Sequence, residues 1–208
     1  MLILRGTTAM FFLNGKPVSY LLRNSFFLLY SKIFIGRQIR IIKGFPRIIN
    51  KGHLKFGKNF TAGMDLRVEI LAKNGSIKFG DNVKINDYCH FGAIEKIVVG
   101  ENCLIGSFVT VVDHDHGVYK SSDMEPSSSP RVTPDDRKIL GSAIVIGDNT
   151  WIGEGVVIVS GVTIGEGSVI GANSVVTKSI PANSIAAGSP ARVIKAYNEI
   201  SQKWEKLQ

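Results

Sequence analysis

The segment VVDHDHGVY (111–119) interleaves two imidazoles with two carboxylates. Histidine has an unperturbed pKa of about 6.5, so it can take and return a proton near neutral pH. A carboxylate at Asp113 or Asp115 can accept the other ring N–H and fix the tautomer. In an extended strand, residues i and i+2 point to one side, so His114 and His116 would face the same space. Both are therefore candidates for a general base. A third imidazole, His90 in INDYCH, would complete a set of three for a metal such as zinc, which is a competing reading of the same residues.

The histidines interrupt a rhythm. From Ile146 a large aliphatic recurs every sixth residue: Ile146, Ile152, Ile158, Ile164, Ile170, Val176. Neither a helix nor an alternating strand has that period. Three residues after each of the first five stands Asn149, Gly155, Gly161, Gly167 or Asn173, types that readily take a left-handed backbone conformation. One residue further on stand Thr150, Val156, Val162, Ser168 and Ser174, all small enough for a crowded interior. Each hexad thus reads as a short strand closed by a tight turn. FGKNF at Phe56, FGDNV at Phe79 and VGENC at Val99 repeat the signature in shifted frames. Hexads of this kind mark a parallel β-helix. Three strands make one coil, coils stack at about 4.8 Å, and about five or six coils are expected around an aliphatic ladder. Cys89 and Cys103 fall at the small inward position, as core residues rather than nucleophiles, and two cysteines suit a reducing compartment.

The pattern disappears across 117–142, a Ser-, Pro- and Asp-rich loop rooted at the histidines. Long loops in compact repeats are more often functional than accidental. After the prism, Ser189 and Pro190 resemble a helix cap and first turn. Val193, Tyr197, Ile200 and Trp204 recur at helical spacing, so a terminal helix is expected over 189–208.

Charge is unevenly spread. The net charge is +8, yet no Asp or Glu precedes Asp65, and residues 1–64 hold eleven Lys or Arg. The remainder has fourteen basic and seventeen acidic residues, a balance of −3. The first 50 residues read as a separate basic, aromatic-rich amphipathic segment, suited to peripheral contact with an anionic membrane surface. No apolar run reaches the roughly 18 residues of a membrane span. No secretory leader is evident, which points to the cytoplasm and the inner membrane face. No nucleic-acid motif accompanies the charge.

The stretch IGDNTWIGEGVVIVSGVTIGEGSVIGANSVVTKSIPANSIAAGSPARVI (146–194) resembles the hexapeptide-repeat acyltransferases. The likeness is strongest to the sugar O-acetyltransferases related to maltose and galactoside enzymes. The resemblance extends more weakly back to about residue 54. It implies an all-β, left-handed parallel β-helix over 51–188, a homotrimer, and acetyl-CoA as co-substrate without a metal. It implies acetylation of a sugar hydroxyl, with surface polysaccharide as the expected pathway. Its gap-free pattern from CLIGSFVT places the base at His116, with His114 two residues away. It places Asn86 at the acceptor side, where Asp113 is a further candidate. Trp151, Glu154, Ala172, Thr177, Lys178, Arg192 and Lys195 match its CoA side. Glu154 departs from the small polar residue usual there. Ala72 and Ile94 stand where galactoside enzymes use polar residues, so an acceptor other than a simple galactoside is expected. N-acetylation of a nucleotide-linked amino sugar, and a non-catalytic scaffold, are the alternatives.

Overall fold

A computed structural model describes residues 12–13, 16–119 and 127–206. The hexads build a three-faced parallel β-helix. The first face stacks seven parallel strands: Ile41–Ile42, Thr61–Ala62, Lys84–Ile85, Leu104–Ile105, Trp151–Ile152, Val169–Ile170 and Ser184–Gly188. The second face stacks Arg47–Asn50, Arg67–Ile70, His90–Ala93, Thr110–Val112, Val157–Ile158 and Val175–Val176. The third runs from His53–Lys55 to Thr163–Ile164 and ends on a bridge from Ile164 to Ile180. The prism therefore begins at Ile41, ahead of the expected boundary at residue 51, and has about seven turns rather than five or six.

The inward ladder is as the period requires. Ile146, Ile152, Ile158, Ile164, Ile170 and Val176 are all buried, as are Thr150, Val156, Val162, Ser168 and Ser174. Asn149, Gly155, Gly161, Gly167 and Asn173 all adopt positive φ. The lower coils depart from an aliphatic filling. Phe56, Phe60, Phe79 and Phe91 pack on one another there, with ring centroids 4.6 to 5.5 Å apart. Cys89 and Cys103 point inward, and burial pushes the Cys89 thiol up to about 11. Neither is poised as a thiolate nucleophile.

Two ends close the prism. Near the N-terminus, helix α1 (Val18–Tyr30) has no buried residue and runs into a wider helical turn, Ser31–Ile35. Buried Ser31 fixes it to the first coil: its hydroxyl donates to Phe27 O at 2.6 Å and accepts from Ile42 N at 2.8 Å. At the other end the expected terminal helix is absent. Ala191–Asn198 and Lys203–Lys206 are strands that continue the first face in antiparallel sense beyond Ser184–Gly188. Tyr197 and Trp204, expected on one helical face, meet instead across paired strands at 5.3 Å. Ile200 is 97% exposed near the turn between those strands. The last parallel strand offers unpaired backbone groups, and a hairpin satisfies them where a helix could not.

Candidate active site

The loop leaves the second face at Asp113. His114–His116 and Ile139–Gly141 pair antiparallel and form its stem, with His114 opposite Gly141 and His116 opposite Ile139. Residues 120–126 of the loop lie outside the described residues. Tyr119 braces the turn: its hydroxyl donates to His116 O at 2.7 Å and accepts from Arg137 Nη1 at 2.8 Å.

Asp113 is fully buried. Its Oδ1 accepts from Ile94 N and lies 3.1 Å from His114 Nδ1; its Oδ2 accepts from Glu95 N and Lys96 N. These four partners match the four lone-pair sites of a carboxylate. Burial alone would raise its pKa. The His114 bond and three backbone N–H groups outweigh burial and hold it below the usual carboxylate value. Asp113 thus has no acceptor capacity left for a ligand, and it orients His114 rather than touching substrate. That departs from its expected place at the acceptor side. His116 is exposed two residues on, its ring centroid 6.5 Å from that of His114.

A second polar group lies beneath. His90 is half-buried, with Nε2 3.1 Å from Glu69 Oε2; Arg67 Nη2 reaches the same oxygen at 2.7 Å. Glu69 is only 7% exposed. Its burial would raise the carboxyl, but Arg67 and His90 bring it below its ordinary value. Burial, then the Arg67 charge, lower the His90 pKa against the pull of Glu69, with His114 lowering it further. Sequence reasoning missed Arg67 and Glu69. In RVEI they alternate with inward Val68 and Ile70 and read as ordinary outward charges. Only the register, Glu69 opposite Gly92 and Arg67 opposite His90, brings them under the histidines. Among the described residues, no group of three His, Cys, Asp or Glu is arranged to hold a metal ion.

On the first face a groove of about 490 Å³ is lined by Asn86, Leu104, Gly106, Trp151, Gly153, Glu154 and Ala172, among others. Asn86, Trp151, Glu154 and Ala172 of the expected set therefore come together. Thr177 and Lys178 follow the last strand of the second face and are exposed, outside that lining. Arg192 and Lys195 lie on the strand Ala191–Asn198. Asn86 and His90 flank one corner of the prism, with Tyr88 between them. There Tyr88 and Phe108 hold positive φ of 59° and stack at 5.1 Å.

Comparison with known proteins agrees with this architecture. Residues 143–178 match the bacterial transferase hexapeptide model (six repeats), and 96–118 match the hexapeptide repeat of succinyl-transferase. A protein of Escherichia coli strain K12 named as the lipopolysaccharide biosynthesis O-acetyl transferase WbbJ is 47% identical over 180 residues. That match spans 86% of this chain and 89% of the relative. The galactoside O-acetyltransferase of the same organism is 40% identical over 129 residues, 58% of this chain and 57% of that protein. The solved structure of AntD, an N-acyltransferase from Bacillus cereus, superposes with a TM-score of 0.59 at 21% identity, over 78% of this chain and 82% of that one, a likeness of fold. On the length and identity of the first of these matches, the chain belongs to the hexapeptide-repeat acetyltransferases.

Proposed function

We propose that this enzyme transfers the acetyl group of acetyl-CoA to a hydroxyl of a sugar acceptor, in the assembly of a bacterial surface polysaccharide, with His116 as general base. The observation that carries this reading is the loop stem. It presents an exposed imidazole at His116 immediately beyond a partly buried, carboxylate-anchored one at His114. A base must meet a substrate arriving from outside, and His116 is the accessible member of the pair. The 47% identity to the lipopolysaccharide O-acetyl transferase supports the pathway.

The acceptor oxygen attacks the thioester carbonyl carbon as its proton passes to the His116 imidazole. An ester C–O bond forms, the C–S bond breaks, and the imidazolium returns the proton to the departing CoA thiolate. Such a base contributes on the order of a hundred- to ten-thousand-fold. The groove beside Trp151, Gly153 and Ala172 suits the pantetheine arm, since the small residues Gly153 and Ala172 leave room for an extended chain against the coil. Lys178, Arg192 and Lys195, toward the C-terminal end, supply cations for its phosphates. Glu154 lines the same groove and is read as a hydrogen-bond acceptor for the arm.

Groove and histidines lie on different faces of one prism, with the Tyr88–Phe108 corner between. This favours a donor held by one chain serving the histidines of the next, and hence a closed ring of three copies. Replacing His116 by Ala is expected to lower kcat about a hundredfold or more with the KM for acetyl-CoA unchanged. His114→Ala is expected to act mainly on the acceptor KM. Co-expressed His116→Ala and Ala172→Trp chains are expected to recover about a quarter of wild-type sites, because each site takes one part from each neighbour. Full activity of His116→Ala would remove the base assignment, and no recovery in mixed oligomers would remove the shared site.

A further inference from the structure

The outward positions of the second face run in two columns: Arg47, Arg67, His90, Thr110, Val157 and Val175 in one, Ile49, Glu69, Gly92 and Val112 in the other. Glu69, Gly92 and Val112 stack in register on three successive coils, and beyond the buried Asp113 the chain turns outward to His114. Gly92 is buried and carries no side chain, so the stack has a gap between Glu69 on one side and His114 on the other. A Cβ built on Gly92 would lie 3.4 Å from His90 Nε2, 3.5 Å from Val112 Cγ2 and 3.6 Å from His114 Cε1. Those are ordinary van der Waals separations, so a methyl bonded at Gly92 is tolerated there without strain, and its absence leaves the facing edges of His90 and His114 uncovered. Its walls are the Val112 methyl and two imidazoles, each imidazole anchored by its own carboxylate: Asp113 for His114, Glu69 for His90.

The polar capacity of this slot is not used up inside the chain. Glu69 Oε2 takes both Arg67 and His90, and Oε1 has no partner among the described residues. The Arg67 Nε–H is buried and unpaired. Unlike Arg67 Nε, Glu69 Oε1 is not fully buried, so it can accept from a ligand group in place of water. The free hydrogen-bonding groups, a carboxylate oxygen and the remaining imidazole nitrogens, match an alcohol, which donates to one and accepts from another. They do not match an anion, which the Glu69 carboxylate would repel.

We propose that the slot over Gly92 seats one hydroxyl of the sugar acceptor, hydrogen-bonded by Glu69 and His114, and so presents a neighbouring hydroxyl to the base. Arg67 and His90 act as positioning residues that aim the Glu69 carboxylate. The assignment rests on the O-acetyltransfer reading and deepens it: it names a specificity element for a polyhydroxylated ring, separate from His116.

Gly92→Ala fills the slot and leaves backbone and neighbours in place; Glu69→Gln keeps the shape and removes the charge. The probes are the methyl glycosides of glucose, galactose, mannose and rhamnose, with their monodeoxy analogues, and labelled acetyl-CoA. The four histidines give four ring Cε1–H signals, so binding is read by NMR even for a glycoside that is not acetylated. At least one glycoside is expected to move the His90 and His114 signals and leave His53 in place. Gly92→Ala is expected to weaken that binding about ten- to hundredfold, the scale of a hydrogen bond to a charged group. Slow hydrolysis of acetyl-CoA in the absence of sugar is expected to stay at the wild-type rate. A monodeoxy analogue lacking the seated hydroxyl is expected to bind wild type and Gly92→Ala equally. The proposal is overturned if no glycoside moves those signals. It is equally overturned if Gly92→Ala and Glu69→Gln lower thermal stability alone and bind as wild type does. Failure of the base assignment has a different signature, an unchanged kcat in His116→Ala.

Discussion

Asp113 is the residue on which the histidine strand depends. Its carboxylate ties the end of the Thr110–Val112 strand to Ile94, Glu95 and Lys96 on the coil below, and holds the His114 ring. Asparagine at this position would keep one acceptor oxygen and set an N–H₂ against backbone donors. Asp113→Asn is therefore expected to cost about 1–3 kcal/mol of stability at neutral pH, the penalty of buried donors left unsatisfied. The pH dependence has a definite sign. A carboxyl depressed in the folded state contributes stability above its unfolded pKa of about 3.9 and loses it as pH falls through the folded value. Glu69 is shifted the same way. His90, lowered by burial, resists charging in the fold, so stability also declines as pH drops below about 6.5. Urea melts between neutral pH and about pH 3 are expected to show wild type weakening toward acid, with a shallower decline in Asp113→Asn. A variant with wild-type stability and the same slope would show that the carboxylate does not anchor the stem. At this scale the sequence revealed the chemistry-bearing types at 113–116, because an interrupted period is visible in one dimension. It did not reveal Glu69 or Gly92, which matter only through stacking across 23 and 20 positions of chain.

At the scale of elements, legibility followed the regularity of the coil. Between Trp151 and Val169 one turn takes 18 residues, and every inward and turn position there was readable from the hexads. Below it the turns lengthen: Thr61 pairs with Lys84 and Lys84 with Leu104, so extra corner residues shift the frame. The first coil, from Ile41, escaped detection because its strands pack on a prism with nothing regular beneath, and Ile48 and Ile49 remain partly exposed. The terminal hairpin escaped for a different reason. Its apolar spacing fits a helix, but an open strand edge next to it decides the outcome, a tertiary contact overriding local preference. The corner at Tyr88 and Phe108 shows where the repeat gives up stability. Bulky aromatics at positive φ cost about 1–2 kcal/mol each, whereas Asn is tolerated there. Their mutual stacking returns about 0.5–1.5 kcal/mol. The double variant Tyr88→Asn/Phe108→Asn is thus expected to be more stable than wild type by on the order of 1 kcal/mol, measured by denaturant unfolding. A destabilised double variant would mean that the aromatic pair does more for the fold than its backbone strain costs.

Across the whole molecule, charge and apolar exposure concentrate at the N-terminal end, while the groove and histidines occupy the middle coils. The α1 segment exposes Leu22, Phe26, Leu29, Ile33 and Phe34, and Phe45 beside it packs against Phe27 and Tyr30. Exposed Arg23, Lys32 and Arg37 share this segment, and no acid precedes Asp65 to offset them. No helix among the described residues is long and apolar enough to cross a membrane. We propose that this segment lies in a lipid interface, with its aromatics in the acyl boundary and its cations at the headgroups. It would bring the prism to a membrane-borne glycan acceptor. The two contributions are separable by experiment. Each cation near an anionic surface is worth about 1 kcal/mol, so three predict roughly hundredfold tighter binding to phosphatidylcholine vesicles containing phosphatidylglycerol than to phosphatidylcholine alone. Replacing Arg23, Lys32 and Arg37 by Gln is expected to abolish that difference, and raised salt to shrink it. Leu29→Ser/Phe34→Ser is expected to weaken binding to both vesicle types, since the apolar contribution does not depend on lipid charge. Equal sedimentation with both lipids, insensitive to salt and to the Gln substitutions, would assign the basic segment to a protein contact instead.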